Sequence, residues 1–199
     1  MIISQKNKVV YIALPHTGST LIHNYCKQFD HLIVDDNLYK HASVSTCLGL
    51  GADEDYKFFI FVRNPVDWMK SKWAMMYRMT LVDQSFIDKQ TCQEWKDRCI
   101  SFRQKKPNID EYILQLASGD KVSLFDRYVD FPCDITYLKY ENFKQSCETL
   151  FEKLGIPVPD LNKKVNSSEG INLNIKKETE EKIKSYFSHE IKKFEYLEK

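Results

Sequence analysis

What the sequence does without narrows the field before any motif is considered. No stretch reaches the roughly 18 apolar residues that a membrane-spanning helix needs. The opening segment, MIISQKNKVVYIAL, has no basic region followed by a long apolar one. Export and membrane anchoring are therefore not expected, and the expected setting is cytoplasmic. Neither sign of charge is in excess: 29 Lys and Arg stand against 28 Asp and Glu, a formal +1. That balance argues against a nucleic-acid binder with a broad basic face, so any anion bound is small and held by a few placed groups. The six cysteines form no CxxC pair and no Cys/His grouping at metal-ligand spacing, so no metal is expected and the thiols read as mostly reduced and buried. Six glycines and six prolines are too scattered to make a linker, and no repeat appears. One domain spanning residues 1–199 is the expectation, large enough to fold without disulfides.

Two short, nearly continuous apolar runs stand out, KVVYIAL at Lys8 to Leu14 and FFIFV at Phe58 to Val62, as expected of strands covered on both faces. His31 to Val34 and Ile135 to Tyr140 are weaker strand candidates. Helical spacing follows the first run, at Ile22, Tyr25, Cys26 and Phe29. After the second, Asn64 suits an N-cap and Pro65 a first helical position, with Val66, Met69, Trp73 and Met76 in one stripe. Phe143, Cys147, Leu150, Phe151 and Leu154 form a further stripe, stopped by Gly155 and Pro157, and Ile183, Phe187, Ile191 and Phe194 mark a charged C-terminal amphipathic helix. Between about Leu81 and Pro107 the pattern is poor, with Trp95 and Cys99 suggesting a helix. Strands alternating with helices predict an α/β chain with a largely parallel sheet.

The segment VVYIALPHTGSTLIHNY is a buried strand, a tight turn with Pro15 and Gly18, and a helix starting near Ser19. Unpaired N–H groups of a first helical turn, the helix dipole and the Ser19 and Thr20 hydroxyls together suit a phosphate or sulfonate. Gly18 would let the main chain come close to such a ligand. The plainer reading is a βα turn in which Ser19 or Thr20 only caps the helix. A Walker A loop is excluded, because there is one glycine and no lysine. In the second segment, FFIFVRNPVDWMKSKW, Arg63 leaves the C-terminal end of a strand and Ser71 follows two helical turns later. Arg63 can offer a two-pronged guanidinium to a phosphate, or pair with a local carboxylate such as Asp67.

Together these segments resemble the sulfotransferases that use 3′-phosphoadenosine 5′-phosphosulfate (PAPS). Pro15-His16-Thr17-Gly18-Ser19-Thr20 is similar to their P-K-x-G-[ST]-T loop, and Phe61-Val62-Arg63-Asn64-Pro65 through Ser71 to their second motif. Lys40-His41-Ala42, Tyr140-Glu141-Asn142-Phe143 and Asn166-Ser167-Ser168 resemble further stretches, the first of them found in carbohydrate-type members. The resemblance implies a three-layer, mainly parallel, P-loop NTPase-like sulfotransferase fold. It implies that Pro15 to Thr20 hold the 5′-phosphosulfate, that Arg63 and Ser71 hold the 3′-phosphate, and that no metal is required; nucleic acid and membrane are set aside by the composition above. One departure is His16, which stands where the family has a lysine contacting the departing phosphate. A histidine does this only when protonated or as an N–H donor, so activity falling above about pH 7, or a weakened enzyme, is expected.

The activity implied is transfer of a sulfonate from PAPS to a hydroxyl or amine of an acceptor, with a carbohydrate as the implied class. His41 is the first candidate for the base, because its pKa suits the task and the resemblance places it in the substrate cleft; His23 is a lesser candidate. Glu141 reads as a base or as a carboxylate tying down nearby main chain. Lys163, Lys164 and Asn166 to Ser168 can close over the nucleotide. Trp68, Trp73, Met75 and Met76 can border an acceptor, though their spacing is that of core residues. Two other classes stay open: a non-catalytic nucleotide- or partner-binding protein, argued by His16, and a small kinase-like phosphoryl transferase.

Overall fold

A computed structural model of the chain describes residues 1–35, 40–83, 85–88, 92–118, 123, 125–161 and 170–196. In chain order the elements are β1 (Ile2–Ser4), β2 (Val9–Ile12), α1 (Ser19–Cys26), β3 (Leu32–Val34), α2 (Val44–Gly49), β4 (Lys57–Val62) and α3 (Pro65–Tyr77). A π-helical turn (Arg78–Val82), α4 (Ser85–Asp88), α5 (Gln93–Lys105) and α6 (Ile109–Leu116) follow. The last are β5 (Ile135–Lys139), a 3₁₀ turn (Tyr140–Asn142), α7 (Phe143–Leu154), α8 (Lys177–Tyr186) and α9 (Ser188–Lys193). The chain divides into two compact units, Met1–Asn64 with Val122–Asn166, and Pro65–Lys121 with Ser167–Lys199.

The first unit is built on a five-stranded sheet in the order β3-β1-β2-β4-β5. β2, β4 and β5 pair in parallel, while β1 pairs antiparallel with both β2 and β3. The sheet is therefore mixed, with one reversed strand among four that run the same way. The cause is a hairpin at the start of the chain, closed where the Lys8 N–H donates to the Gln5 carbonyl and Lys8 takes φ 53. Lys8, expected inside the first strand, is a turn residue, and β1 was not foreseen at all. Tyr11 and Ala13 share a sheet face with Ile2, Phe59, Phe61 and Leu138, and this face joins Ile22 and Cys26 of α1 and Cys147, Leu150, Phe151 and Leu154 of α7 in one apolar core. The alternate residues Val10, Ile12, Phe58 and Ile60 are also buried, as continuous apolar runs demand. Gly155 ends α7 in the left-handed region at φ 74.

The second unit is helical among its described residues. The expected stripe of α3, Val66, Met69, Trp73 and Met76, is buried, which places Trp73 and Met76 in the core. Trp68 is half-buried, 6.5 Å ring to ring from Phe187. The anticipated C-terminal helix is two: α8 and α9 part at Phe187, although Ile183, Phe187, Ile191 and Phe194 are all buried as the stripe required. Helix α5 covers Trp95 and Cys99. Helix α6, not anticipated, starts from a capping box in which Asn108 and Glu111 each accept the other's N–H at 2.9 Å. Among the described residues no helix is long and apolar enough to cross a membrane, and no group of three or more His, Cys, Asp and Glu is gathered as for a metal. Cys26, Cys47, Cys99 and Cys147 are buried free thiols, Cys133 is half-buried, and Cys92 is exposed.

Candidate functional site

Neighbouring parallel strands β2 and β4 send their chains apart at their C-terminal ends, β2 through α1 toward β3 and β4 onward toward β5. Strand ends where the order diverges in this way are where ligands gather in open α/β sheets. The turn from β2 into α1 lies there. Two residues in left-handed conformation, His16 (φ 66) and Gly18 (φ 77), swing the chain into the helix. Gly18 is required for a reason the sequence did not show. A Cβ added to it would meet the Phe143 ring at 2.5 and 2.8 Å, so the packing of α7 against the turn demands glycine here.

The turn is rigid. The Thr17 side chain is fully buried and its hydroxyl donates to the Leu14 carbonyl at 2.8 Å, leaving Thr17 only its main chain to offer a ligand. Leu21 and Ile22 N–H reach the Gly18 carbonyl at 3.1 and 3.4 Å, so Ser19 and Thr20 N–H precede the helical ladder. No acidic residue lies in this first turn. Ser19 is buried; Pro15 and Thr20 are half-buried.

Arg63 extends from the end of β4 and joins this turn. Its Nη1 donates to the His16 carbonyl at 2.9 Å, and its guanidinium lies 4.4 Å from the centroid of the Tyr140 ring. Its Nε is buried and has no acceptor. Arg63 is thus held by a carbonyl and an aromatic face rather than by a carboxylate, which leaves its charge for an incoming anion. The main-chain N–H of Asn64 donates to Glu141 at 2.7 Å, which makes Glu141 a tie on the main chain. Ser71 lies half-buried on α3, in the second unit.

The Lys40-His41 pair comes to the same strand end. His41 Nδ1–H donates to the Ala13 carbonyl at 2.6 Å; a carbonyl only accepts, so Nε2 carries the lone pair. Burial of the ring pulls the His41 pKa below the usual histidine value, although the residue as a whole is exposed; the Ala13 carbonyl opposes the shift, and Lys40, the amino terminus and Arg127 add to it. Lys40 Nζ donates to Thr20 Oγ1 at 3.2 Å. His23 sits differently. Its Nδ1–H donates to the Ser19 carbonyl at 2.8 Å, its Nε2 takes the Met1 amino group at 3.2 Å, and burial, with that amino group adding, lowers its pKa to about 4. With both ring nitrogens engaged inside the core, His23 is structural.

The structure therefore brings together Pro15 to Thr20, Arg63, Lys40 and His41 in the first unit. Asn166 to Ser168, Lys163 and Lys164 lie outside the described residues. Two contributors were missed, Lys40 as a neighbour of Thr20 and Tyr140 as the platform under Arg63, each joined across a long stretch of chain that leaves no local pattern. Compared with family models, with curated proteins and with solved structures, the chain finds no match.

Proposed function

We propose that the chain is a PAPS-dependent sulfotransferase that moves a sulfonate to a hydroxyl or amine of an acceptor, a carbohydrate by the resemblance of Lys40-His41-Ala42, and releases adenosine 3′,5′-bisphosphate. The observation that carries this reading is Arg63: a guanidinium pinned to the β2–α1 turn, with a buried donor that lacks an acceptor. Two anionic groups on one nucleotide would match the two features, the amides of Ser19 and Thr20 for one and Arg63 for the other.

PAPS would supply an activated sulfonate, whose bond to the phosphate oxygen breaks as the acceptor oxygen or nitrogen bonds to sulfur. The chain's own residues position and neutralise. The first-turn amides of α1 face developing negative charge in a setting that needs no reorganisation. His41 receives the acceptor's proton at Nε2, because Nδ1 is committed to Ala13 and fixes the tautomer. Its lowered pKa keeps the ring neutral, and so able to act as a base, into mildly acidic solution.

A thermal-shift titration tests the reading. Adenosine 3′,5′-bisphosphate at 100 times its Kd raises native-state stability by about 2.7 kcal/mol. The expected result is a rise in melting temperature that ATP and AMP do not match and that Arg63→Ala abolishes. No shift at millimolar ligand would mean that the two turns are plain βα connections.

A further inference from the structure

We propose that Lys40 is a fixed cation of the β2–α1 turn, contacting the 5′-phosphosulfate oxygens and supplying at neutral pH the charge of the lysine that His16 replaces. The inference rests on the sulfotransferase reading and adds to it the side chain that neutralises charge on the departing phosphate.

Three observations carry it. The first is placement: Lys40 Nζ lies 3.2 Å from Thr20 Oγ1, in the turn of α1 whose amides precede the helical ladder. An ammonium beside those amides joins the helix dipole in favouring an anion, and a lysine serves phosphate as a compact point charge.

The second is how the stem is held. The Lys40 carbonyl accepts from the Met1 nitrogen at 2.8 Å, and the next side chain, His41, is bonded to Ala13 at the end of β2 at 2.6 Å. Main chain on one side and side chain on the other thus set the lysine against the turn, and it is half-buried there. Its positive charge is felt at both neighbouring imidazoles, whose pKa values it helps to lower.

The third concerns His16. Its main chain is committed, with φ 66 and a carbonyl that accepts from Arg63. An imidazole carries a full positive charge only in acidic solution, whereas an ammonium keeps its charge through neutral pH. The turn therefore holds Lys40, besides Arg63, by tertiary contact where the sequence motif would have supplied a cation locally.

The test is calorimetric titration of adenosine 3′,5′-bisphosphate and adenosine 3′-monophosphate into the wild-type chain and into Lys40→Gln, Lys40→Arg and His16→Ala. Lys40→Gln should weaken the bisphosphate about tenfold or more, as expected for a charge-assisted contact, and leave the monophosphate within about twofold. Lys40→Arg should recover most of the loss, and His16→Ala should lose less than Lys40→Gln does. Thr20→Val, which removes the hydroxyl that positions the ammonium, should give a smaller loss in the same direction and keeps the test decisive if a Lys40 variant does not fold. If Lys40→Gln and Thr20→Val both bind the bisphosphate like the wild type, or if the larger loss follows His16, the assignment is wrong while the nucleotide site stands. If the wild-type chain binds neither nucleotide, the sulfotransferase reading fails and takes the assignment with it.

Discussion

The two strand-to-helix turns look alike in sequence and differ in what they leave available. In the β2–α1 turn, the amides at the start of α1 precede the helical ladder, no acidic side chain lies in the first helical turn, and Lys40 sits alongside. In the turn after β4, the amide of Asn64 is already bonded to the Glu141 carboxylate, and Pro65, the next residue, has no N–H to give. The second turn contributes Arg63 and little else. A strand running into a helix is thus not by itself an anion site; what decides is whether the chain's own acceptors have already taken the amides.

The comparison breaks most sharply at His41, the proposed base, which lies at the end of β2. His41→Gln should lower the rate of sulfonate transfer by about 10²- to 10⁴-fold with nucleotide affinity retained. A variant as fast as the wild type in single-turnover transfer would remove His41 from the mechanism.

Next in size is the support beneath the same turn. His23 is buried and neutral, with a folded pKa of about 4 against an ordinary histidine value of 6.5. The unfolded chain takes up a proton near pH 6.5 and the folded chain does not until about pH 4, so stability present above 6.5 is lost as the pH falls through that window. The loss is on the order of 3 kcal/mol. Urea unfolding at stepped pH should show that slope, and His23→Gln should flatten it; an unchanged slope would place the titration elsewhere.

Gly18→Ala should destabilise the chain by about 2 kcal/mol, through its left-handed backbone and the collision with Phe143. Gly51 serves as the reference: its φ is 100 but nothing lies within 4 Å of the added carbon, so Gly51→Ala should cost only about 1 kcal/mol. Equal losses in denaturant melts would mean that Phe143 yields to the new methyl. The smallest effect belongs to the second turn. Glu141→Ala frees the Asn64 amide at an exposed position and should cost about 1 kcal/mol or less, with no loss of nucleotide affinity. A Kd weakened severalfold would show the second turn to be more than a carrier for Arg63.

Much of this was legible because it is local. β2 and β4 are continuous apolar runs, and α3 announces itself through Asn64-Pro65 and a four-residue stripe. Apart from the capping box of α6, what was hidden lacked a local mark. β1 has three residues and its hairpin turn contains neither glycine nor proline, Lys8 supplying the left-handed residue instead. The break between α8 and α9 leaves the apolar stripe intact, since Phe187 is buried at the join. The start of α6 does carry a local mark, Asn108 with Glu111 three residues on. At the site, the turn and Arg63 stood in the motifs, but Lys40 against Thr20 and Tyr140 under Arg63 are tertiary meetings that spacing cannot reveal.

The most direct measurement is an amide and guanidinium NMR titration with adenosine 3′,5′-bisphosphate. The largest shifts should fall on the main-chain N–H of Ser19 and Thr20 and on the Nε–H of Arg63, while the Asn64 amide, held by Glu141, moves little. Shifts centred on Asn64, or none at Ser19, Thr20 and Arg63, would contradict the account.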